Sequence, residues 1–389
     1  MRPVPRQPPL PIFWLSLLFV ACLAMLRPDT GMALPSALPS ALPSSSAFFG
    51  AGSFNKIDGG DIPMPANTPQ AHASNLVSLS AQHSASLAVF WFAGEVEGAP
   101  DVRIAFSRFD RSAQQWSSAQ CVVDRHVLAQ QLGFAVRRLG NPVAWMDAND
   151  RLHLFVVATG LGGWAAARIV HLEQQGNPYE LEQIKFKARA VLPMSWLWNT
   201  SYLVRNAPLA LADGGMMLPL YFELGAKYPA LARFSREGEF TGMTRISARR
   251  NLLQPAIVPV SDVHWLAYMR MSGGAQRIAV AETRDAGAHW QDLPDLDLPN
   301  PNAAVAAIGV PGGYMLAFNP SINSRSTLSL AQSSDGLRWI VPVDLVHGRP
   351  GEEFSYPSFA WADEALWVTY TNRRESISWQ RFERSKAQD

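Results

Sequence analysis

The chain has 389 residues, of which 48% are hydrophobic and 17% are charged, and its formal net charge is +1. A chain of this length can bury one large core or two modest ones. The near-balanced charge, without a clustered face of Lys and Arg, argues against a nucleic-acid-binding protein.

The N-terminus predicts a targeting segment. Arg2 and Arg6 precede residues 10–26, an uncharged apolar run that is short for the ~20 residues of a membrane-spanning helix. Residues 31–33, Gly-Met-Ala, supply the small-x-small pattern of a cleavage site. We therefore expect residues 1–33 to be a secretory signal peptide or an uncleaved membrane anchor. Either would export the rest of the chain to the periplasm or the cell exterior.

The next segment is a tandem Pro/Ser repeat. Residues 33–46 read ALPSALPSALPSSS, a composition that cannot build a core and favours a stiff, extended linker. We assign residues 34–69 to this linker and expect the folded domain to cover residues 70–384.

From residue 70 onward, one pattern recurs six times: a polar residue, an apolar run, a turn, and a second apolar run that ends in an aromatic residue. Pro142, Pro208, Pro255, Pro301 and Pro357 mark five of the six starts, at spacings close to those of propeller blades. The runs are short, rich in Val, Leu, Tyr and Trp, and joined by Asp, Gly and Asn turns. This composition favours β-strands.

A polar turn motif follows the second run in several units. In TRDAGAHW, residues 283–290, the Asp can accept backbone hydrogen bonds, the Gly can adopt a positive φ and the Trp can pack on the strands. SSDGLRW, residues 333–339, repeats the pattern, and variants begin at Ser107 and Ser235. One four-stranded blade per unit predicts an all-β, six-bladed β-propeller. A β-sandwich is the weaker alternative, because six copies are in phase.

These motifs resemble the bacterial sialidase-like proteins, a predicted-neuraminidase family with Asp-boxes (BNR repeats). The resemblance runs from about residue 72 to about residue 382 and rests on the two Asp-boxes and on the order of HASNLVSL, FNPSINSRSTLSLAQSSDG, FSYPSFAW and VTYTNRR. Asp-boxes also occur outside sialidases, so the motif order supports the fold and the family more than the reaction. The family implies three Arg on a substrate carboxylate, a Tyr nucleophile assisted by a Glu, and an Asp acid/base.

On this resemblance, three residues carry over directly. Arg270 in AYMR and Arg325 in NSRSTLSL correspond to two of the three Arg, and Tyr356 in FSYPSF corresponds to the nucleophile. Arg offers a planar fork that pairs with a carboxylate through two hydrogen bonds. A Tyr nucleophile is a known exception to the two-carboxylate rule of glycosidases.

Two positions depart from the family pattern. His72 stands where the first Arg is expected, and Gln254 stands where the assisting Glu is expected. Gln cannot accept a proton, and a phenol with a pKa of about 10 needs help to attack at neutral pH. The help could come from the Arg side chains, from His72 or from Glu353, and the sequence does not choose among them.

The resemblance puts the acid/base in the loop GEVEGAPD, which follows the second strand of the first unit. Glu95, Glu97 and Asp101 are available there. Glu97 is the first choice because Gly98 and Pro100 mark its surroundings as a loop, whereas Asp101 can begin the next strand.

The openings of the units converge on one mouth of a propeller's central channel, so polar residues there are candidates for substrate binding. These candidates are Asn141, Arg205, Asn206, Gln254, Asn300 and Asn302. Arg373 and Arg374 come late in the last unit, and we expect them on the surface. The scattered His residues and the absence of a phosphate loop or nucleotide fingerprint predict no metal site and no cofactor.

The leading functional hypothesis is an exported, exo-acting glycoside hydrolase on an acidic sugar, most simply sialic acid. A first alternative is a uronate polysaccharide lyase, with Arg neutralising the acid and His72 or Tyr356 as the base. A second is a non-catalytic glycan-binding propeller, which the missing Glu and the missing first Arg favour. The fold alone cannot separate these functions.

Overall fold

The computed structural model describes residues 54–194 and 199–384, and its regular structure is almost entirely antiparallel β-sheet. The strands form six sheets of four or five strands each. Neighbouring sheets contact one another in sequence order through their inner strands, and the innermost strand of the last sheet contacts that of the first. The predicted six-bladed β-propeller is confirmed.

The blades follow one another in chain order, and the strands of each blade are given from the central channel outwards. Blade 1 contains β2 (Gln70–Ser78), β3 (Ala85–Gly94), β4 (Arg103–Asp110), β5 (Gln115–Trp116) and β6 (Gln120–Val123). Blade 2 contains β7 (Arg138–Met146), β8 (Leu152–Thr159), β9 (Ala167–Gln174) and β10 (Phe186–Val191). Blade 3 contains β11 (Tyr202–Val204), β12 (Leu209–Ala210), β13 (Met216–Phe222), β14 (Tyr228–Phe234) and β15 (Phe240–Arg245).

The remaining three blades repeat this order. Blade 4 contains β16 (Leu252–Pro259), β17 (Trp265–Met271), β18 (Ile278–Thr283) and β19 (Gln291–Leu293). Blade 5 contains β20 (Ala306–Val310), β21 (Gly313–Phe318), β22 (Thr327–Ser333) and β23 (Ile340–His347). Blade 6 contains β24 (Phe354–Ala362), β25 (Ala365–Asn372), β26 (Ser376–Arg384) and, outermost, β1 (Phe54–Asp61).

Within residues 54–194 and 199–384, helical structure is confined to two short connections. Helix α1 (Arg125–Leu132) follows blade 1 and begins at Asp124, whose carboxylate accepts hydrogen bonds from two backbone N–H groups of the first turn. A 3-10 helix (Gly163–Ala166) joins two strands of blade 2. Among the described residues, no helix combines the length and the apolar character needed to cross a membrane. The apolar run at residues 10–26 lies outside the described residues.

The ring is closed by pairing between the two ends of the described chain. β1 is antiparallel to β26, with Phe54 opposite Arg384 and Asp61 opposite Ser378. This corrects the boundary expected at residue 70, because residues 54–61 belong to blade 6 and not to the linker. The sequence FNKIDGGD gave no strand signal, because its side chains are largely exposed and backbone hydrogen bonds hold the strand.

An aromatic cluster packs the same seam between blades 6 and 1. Trp367 and Trp379 stack with their ring centroids 5.3 Å apart, and Phe109 meets Trp367 edge-on at 4.6 Å. Trp116 adds a further edge contact to Trp379. Aromatic pairs of this kind contribute about 0.5–1.5 kcal/mol each beyond their buried area, so side-chain packing supports the backbone closure.

The Asp-box at residues 283–290 forms the hairpin staple that its sequence predicts. The Asp285 carboxylate accepts from the backbone N–H of His289 over 2.8 Å, and Thr283 Oγ1 accepts from the N–H of Gly287 over 3.0 Å. Gly287 has a φ of +91°, and Trp290 donates from Nε1 to its carbonyl. The motif is structural and lies at the far end of the third strand from the mouth.

Bulges open the innermost strands at the mouth. The register of β2 with β3 shifts between His72 and Asn75, and similar irregularities occur in β7, β16 and β24. Ala73, Gln254 and Tyr356 have φ values of 57°, 54° and 53° in these bulges. A non-glycine residue in this region costs of order 1–3 kcal/mol and persists where the surroundings impose it, which is common at functional sites.

Candidate functional site

The candidate site lies at the end of the propeller where the innermost strands begin. In an antiparallel blade, the start of the first strand, the end of the second and the start of the third meet at the same end. Tyr356 lies near the start of β24, Gln254 near the start of β16, Arg270 near the end of β17, and Arg325 just before β22. The four residues therefore reach one mouth from three blades.

Arg270 connects three candidates to one another. Its Nε donates to Asn302 Oδ1 over 2.6 Å, and its Nη1 donates to Gln254 Oε1 over 3.2 Å. The same Nη1 lies 3.4 Å from the hydroxyl oxygen of Tyr356, a long hydrogen bond. Positive charge thus faces the phenolic oxygen directly, and Asn302 fixes the orientation of the guanidinium.

Glu353 joins two further guanidiniums. Arg325 Nη1 donates to Glu353 Oε1 over 2.9 Å, and Arg374 Nε donates to Oε2 over 2.8 Å. Burial alone would raise the pKa of Glu353, but hydrogen bonds from Arg374 and Ser355 and the two positive charges lower it to about 2. The carboxylate therefore stays ionised, and hydrogen bonds from Arg325, Arg374 and Ser355 occupy its oxygens.

Arg374 is the residue at the mouth that the sequence interpretation missed. We expected it on the surface, yet its side chain is only 32% exposed and binds both Glu353 and Glu97. The turn between β25 and β26 brings it there, and its carbonyl accepts a hydrogen bond from the N–H of Ala71, next to His72. It thus stands beside the position of the absent first Arg. The available signal was its place just beyond a second strand, which parallels that of Arg270.

His72 is buried against the ring of Tyr356. It is 2% exposed, and the two ring centroids are 4.2 Å apart. Neither ring nitrogen has a hydrogen-bond partner among the described residues. Burial, followed by the positive charge of Arg374, lowers the pKa of His72 well below its usual value. The ring is therefore neutral at pH 7 and has nitrogen lone-pair capacity next to the phenol.

Gln254 acts as a bridge within the site and is 2% exposed. While its Oε1 accepts from Arg270, its Nε2 lies 3.4 Å from the hydroxyl of Tyr221. Asn141 Nδ2 approaches the same hydroxyl at 3.5 Å. Burial raises the pKa of Tyr221 above its usual range, so this second phenol, which the sequence interpretation missed, remains protonated.

Arg205 does not line the mouth, so the structure lends no support to its expected substrate contact. The side chain is 1% exposed, with hydrogen bonds to the carbonyls of Ser74 at 3.2 Å and Pro357 at 2.8 Å. Its guanidinium carbon lies 5.0 Å from the centroid of the Tyr356 ring. Burial lowers the pKa of Arg205 to about 10, so the group remains a cation at neutral pH. Sequence alone cannot tell an inward from an outward side chain at a unit opening.

The loop after β3 brings one of its acidic residues into the site. Glu97 binds Arg374, and its backbone N–H donates to Gln70 Oε1 over 3.3 Å. Asp101 instead accepts from the N–H of Glu95 over 2.7 Å and closes its own loop. The preferred acid/base candidate is therefore connected to the Arg cluster, whereas Asp101 is occupied with the turn.

A cavity of about 560 Å³ lies in the central channel, towards the opposite ends of the innermost strands. Its walls are mostly aliphatic and aromatic, including Leu76, Ile257, Val310 and Phe359, and no ionisable side chain lines it. The charged mouth is therefore the better candidate for an acidic ligand. Within residues 54–194 and 199–384, no group of three or more His, Cys, Asp or Glu could hold a metal ion.

Several solved structures similar to this chain are sialidases. The Hadza microbial sialidase Hz136 aligns over 82% of this chain and 67% of its own, with 17% identity and a TM-score of 0.65. Trypanosoma rangeli sialidase aligns over 86% of this chain, with 13% identity and a TM-score of 0.64, and the match spans 58% of that protein. A Dyadobacter fermentans protein of unknown function aligns over its whole length, with 9% identity and a TM-score of 0.65. At these identities the likeness shows the fold.

Sequence comparison identifies the family. No curated protein matches the chain. A family model described as a BNR repeat-like domain matches residues 85–368, which is most of the propeller. Together with the sialidase folds and the Asp-boxes, this match means that the chain belongs to the sialidase-like BNR-repeat family.

Proposed function

We propose that the mouth binds a carboxylated sugar and that the protein is an exo-acting glycoside hydrolase of the sialidase type. The observation that carries this proposal is the contact between Arg270 and the hydroxyl of Tyr356, in a mouth that also holds Arg325 and Arg374. A phenol set among guanidiniums suits attack on a sugar whose carboxylate those guanidiniums hold.

The carboxylate would be recognised by Arg270, Arg325 and Arg374. In the free protein, Glu353 and Glu97 neutralise part of this charge. Glu353 is held by two guanidiniums and by Ser355, so it stays in place. Glu97 is on an exposed loop and has one such partner, so a substrate carboxylate competes with it for Arg374.

The proposed reaction forms a bond between Tyr356 and the sugar and then hydrolyses it. The phenolic oxygen of Tyr356 attacks the anomeric carbon and passes its proton to a ring nitrogen of His72. The glycosidic bond breaks, and the leaving oxygen takes a proton that the Glu97 carboxyl group, displaced from Arg374 by the substrate, relays from solvent. Water then attacks the anomeric carbon and passes a proton to the Glu97 carboxylate, while the Tyr356 oxygen leaves and takes back the proton held by His72. Arg270 stabilises the negative charge that develops on the phenolic oxygen.

The test uses the full chain with a fluorogenic sialoside, and in parallel with polyuronates followed by the ultraviolet absorbance of an unsaturated product. We expect Tyr356→Phe to abolish sialoside turnover while affinity for free N-acetylneuraminate survives. Tyr179→Phe is the control, since Tyr179 is an exposed tyrosine paired with Asp150. Full activity in Tyr356→Phe would overturn the assignment.

A uronate lyase is the second candidate, and one observation favours it. His72 is neutral, its ring nitrogens have no hydrogen-bond partner in the part of the chain that the structure describes, and Gln254 replaces the expected Glu. A neutral imidazole beside guanidiniums can abstract a proton next to a neutralised carboxylate. Growth of ultraviolet absorbance without sialoside turnover would select this reaction. Glycan binding without turnover in either assay would indicate a non-catalytic glycan-binding propeller.

We also propose export of the protein, either cleaved or tethered through residues 10–26. Support comes from the apolar run and from the Pro/Ser repeat that follows it. Cell fractionation, followed by N-terminal sequencing of the purified protein, tests the proposal. A start at residue 34 would identify a signal peptide, an intact N-terminus in the membrane fraction would identify a tether, and recovery of intact chain from the cytosol would overturn export.

A further inference from the structure

We propose that Arg205 is a positioning residue for Tyr356, a buried cation that fixes the ring of the nucleophile and favours its charged form during attack. This inference rests on the proposed function. It assigns to Arg205 a role that differs from the substrate contact expected from its position in the sequence.

The cation of Arg205 lies over the ring of Tyr356. The Arg205 guanidinium carbon is 5.0 Å from the centroid of the Tyr356 ring, within the range of cation–π attraction. A phenol that loses its proton spreads negative charge over its ring, and a cation over the ring face attracts that charge more strongly than it attracts a neutral ring. In a buried setting such attraction is weakly screened.

Packing alone does not account for a charged side chain at position 205. Burying a cation is unfavourable unless something compensates it, and a neutral side chain of similar length avoids that penalty. Among the residues that the structure describes, no carboxylate forms a salt bridge with Arg205, and its Nε has no hydrogen-bond partner. The ring of Tyr356 is the electron-rich group that the guanidinium contacts.

The two hydrogen bonds of Arg205 hold the openings of two other blades. Arg205 extends from blade 3 to the carbonyl of Ser74 in blade 1 and to that of Pro357 in blade 6. Pro357 directly follows Tyr356, whose φ is 53°, and Ser74 lies in the bulge that directly follows His72. One guanidinium thus fixes both strained openings that bring the imidazole and the phenol together.

The kinetic test compares Arg205→Gln and Arg205→Lys with wild type on a fluorogenic sialoside. Removing the charge should lower kcat about tenfold or more with KM changed about twofold or less, because Arg205 does not touch the substrate. Lys keeps the charge and should recover part of kcat. Arg233→Gln is the matched control, since Arg233 lies in the same blade and pairs with Asp213 away from the mouth.

Two outcomes would overturn the proposal in this test. One is a folded Arg205→Gln variant with wild-type kcat. The other is a loss of affinity for free N-acetylneuraminate that parallels the loss of kcat, which would mean that Arg205 shapes the binding site. If Arg205→Gln does not fold, Arg205→Lys carries the test: retention of more than about a tenth of kcat supports the charge role and a larger loss opposes it.

A substrate-free test separates this inference from the proposed function. A double-mutant cycle combines Arg205→Gln with Tyr356→Leu and measures unfolding in urea. We expect non-additive losses of stability in this cycle. In a second cycle with Tyr356→Phe, the measured coupling energy should be small, because this change keeps the aromatic ring. Additive effects would overturn the pairing even if the enzyme is active. Coupling in a protein that cleaves no sialoside would overturn the proposed function and leave the pairing intact.

Discussion

Arg374 Nε donates to Glu353 Oε2 over 2.8 Å, and this contact brings a guanidinium from the last turn of the propeller to the mouth. The blade that carries Tyr356 therefore also supplies the cation next to His72. A sialidase-like site that lacks Arg at its first expected position retains three guanidiniums at its mouth.

Replacing Arg374 should weaken substrate binding. We expect Arg374→Gln to raise KM about tenfold or more, because a charge-assisted hydrogen bond to the substrate carboxylate is lost. Arg373→Gln is the control, since Arg373 is adjacent in sequence, 47% exposed and paired with Glu352 and Glu375 outside the site. Equal KM values for the two variants would contradict the role of Arg374. Steady-state kinetics on a fluorogenic sialoside provide the measurement.

Replacing Glu97 should separate binding from turnover. In Glu97→Gln, Arg374 loses a competing carboxylate, so affinity for free N-acetylneuraminate should rise severalfold, by the ~1 kcal/mol typical of an exposed ion pair. Turnover should fall at least about a hundredfold, because the proton donor is gone. Calorimetric titration and kinetics report the two effects. Glu95→Gln serves as the control, and weaker binding in Glu97→Gln would argue against competition.

Replacing His72 tests its role as proton acceptor. We expect His72→Gln to lower kcat about a hundredfold while KM changes little, because proton transfer is lost but the guanidiniums remain. His83→Gln is a closely matched control: His83 is also buried, lacks partners for both ring nitrogens among the described residues, and packs on Tyr179 away from the mouth. A His72→Gln enzyme with normal kcat would remove the imidazole from the mechanism.

Acid should lower the stability of the folded protein over a defined pH range, as Glu353 is protonated. The pKa of Glu353 is about 2 in the folded protein, below the ~4.3 of a Glu in an unfolded chain. Because the folded pKa is lowered, the stability from this carboxylate is complete above about pH 4.3 and is lost as the pH falls towards 2. After allowance for the partial exposure of Glu353, we expect its ionised carboxylate to contribute about 2 kcal/mol to the free energy of unfolding.

The measurement is the free energy of unfolding in urea at several pH values between 7 and 2. Wild type should lose more stability over the acid range than Glu353→Gln, which has no carboxyl to protonate there. Glu375→Gln, at an exposed site, should follow wild type. Parallel curves for wild type and Glu353→Gln would show that the ion pairs of Glu353 contribute nothing to stability.

The closing strand predicts where a truncated protein stops folding well. A chain that starts at residue 54 keeps the ladder between β1 and β26, whereas a chain that starts at residue 70 loses it. We expect the shorter chain to melt at least about 5 °C lower, or to aggregate through the exposed edge of β26. Equal melting temperatures would mean that the closing strand is dispensable.

The fold and much of the site could be predicted because they depend on local, repeated patterns. Alternating apolar runs, Asp-box turns and the position of Tyr356 at a unit opening are visible within short windows. β1 was missed because backbone pairing with β26 holds it, and its exposed side chains carry no periodicity. The roles of Arg374 and Arg205 were missed because they depend on how a turn folds back and on which way a side chain points.

The closure of the ring also determines on which face of the propeller the preceding chain joins it. β26 begins just after the turn that carries Arg374, at the mouth, and β1 runs antiparallel to it, so Phe54 lies at the opposite end of the blade. The chain before Phe54 therefore joins the propeller on the face opposite the mouth. The Arg cluster lies on the other face, so an attachment through that chain leaves the mouth clear.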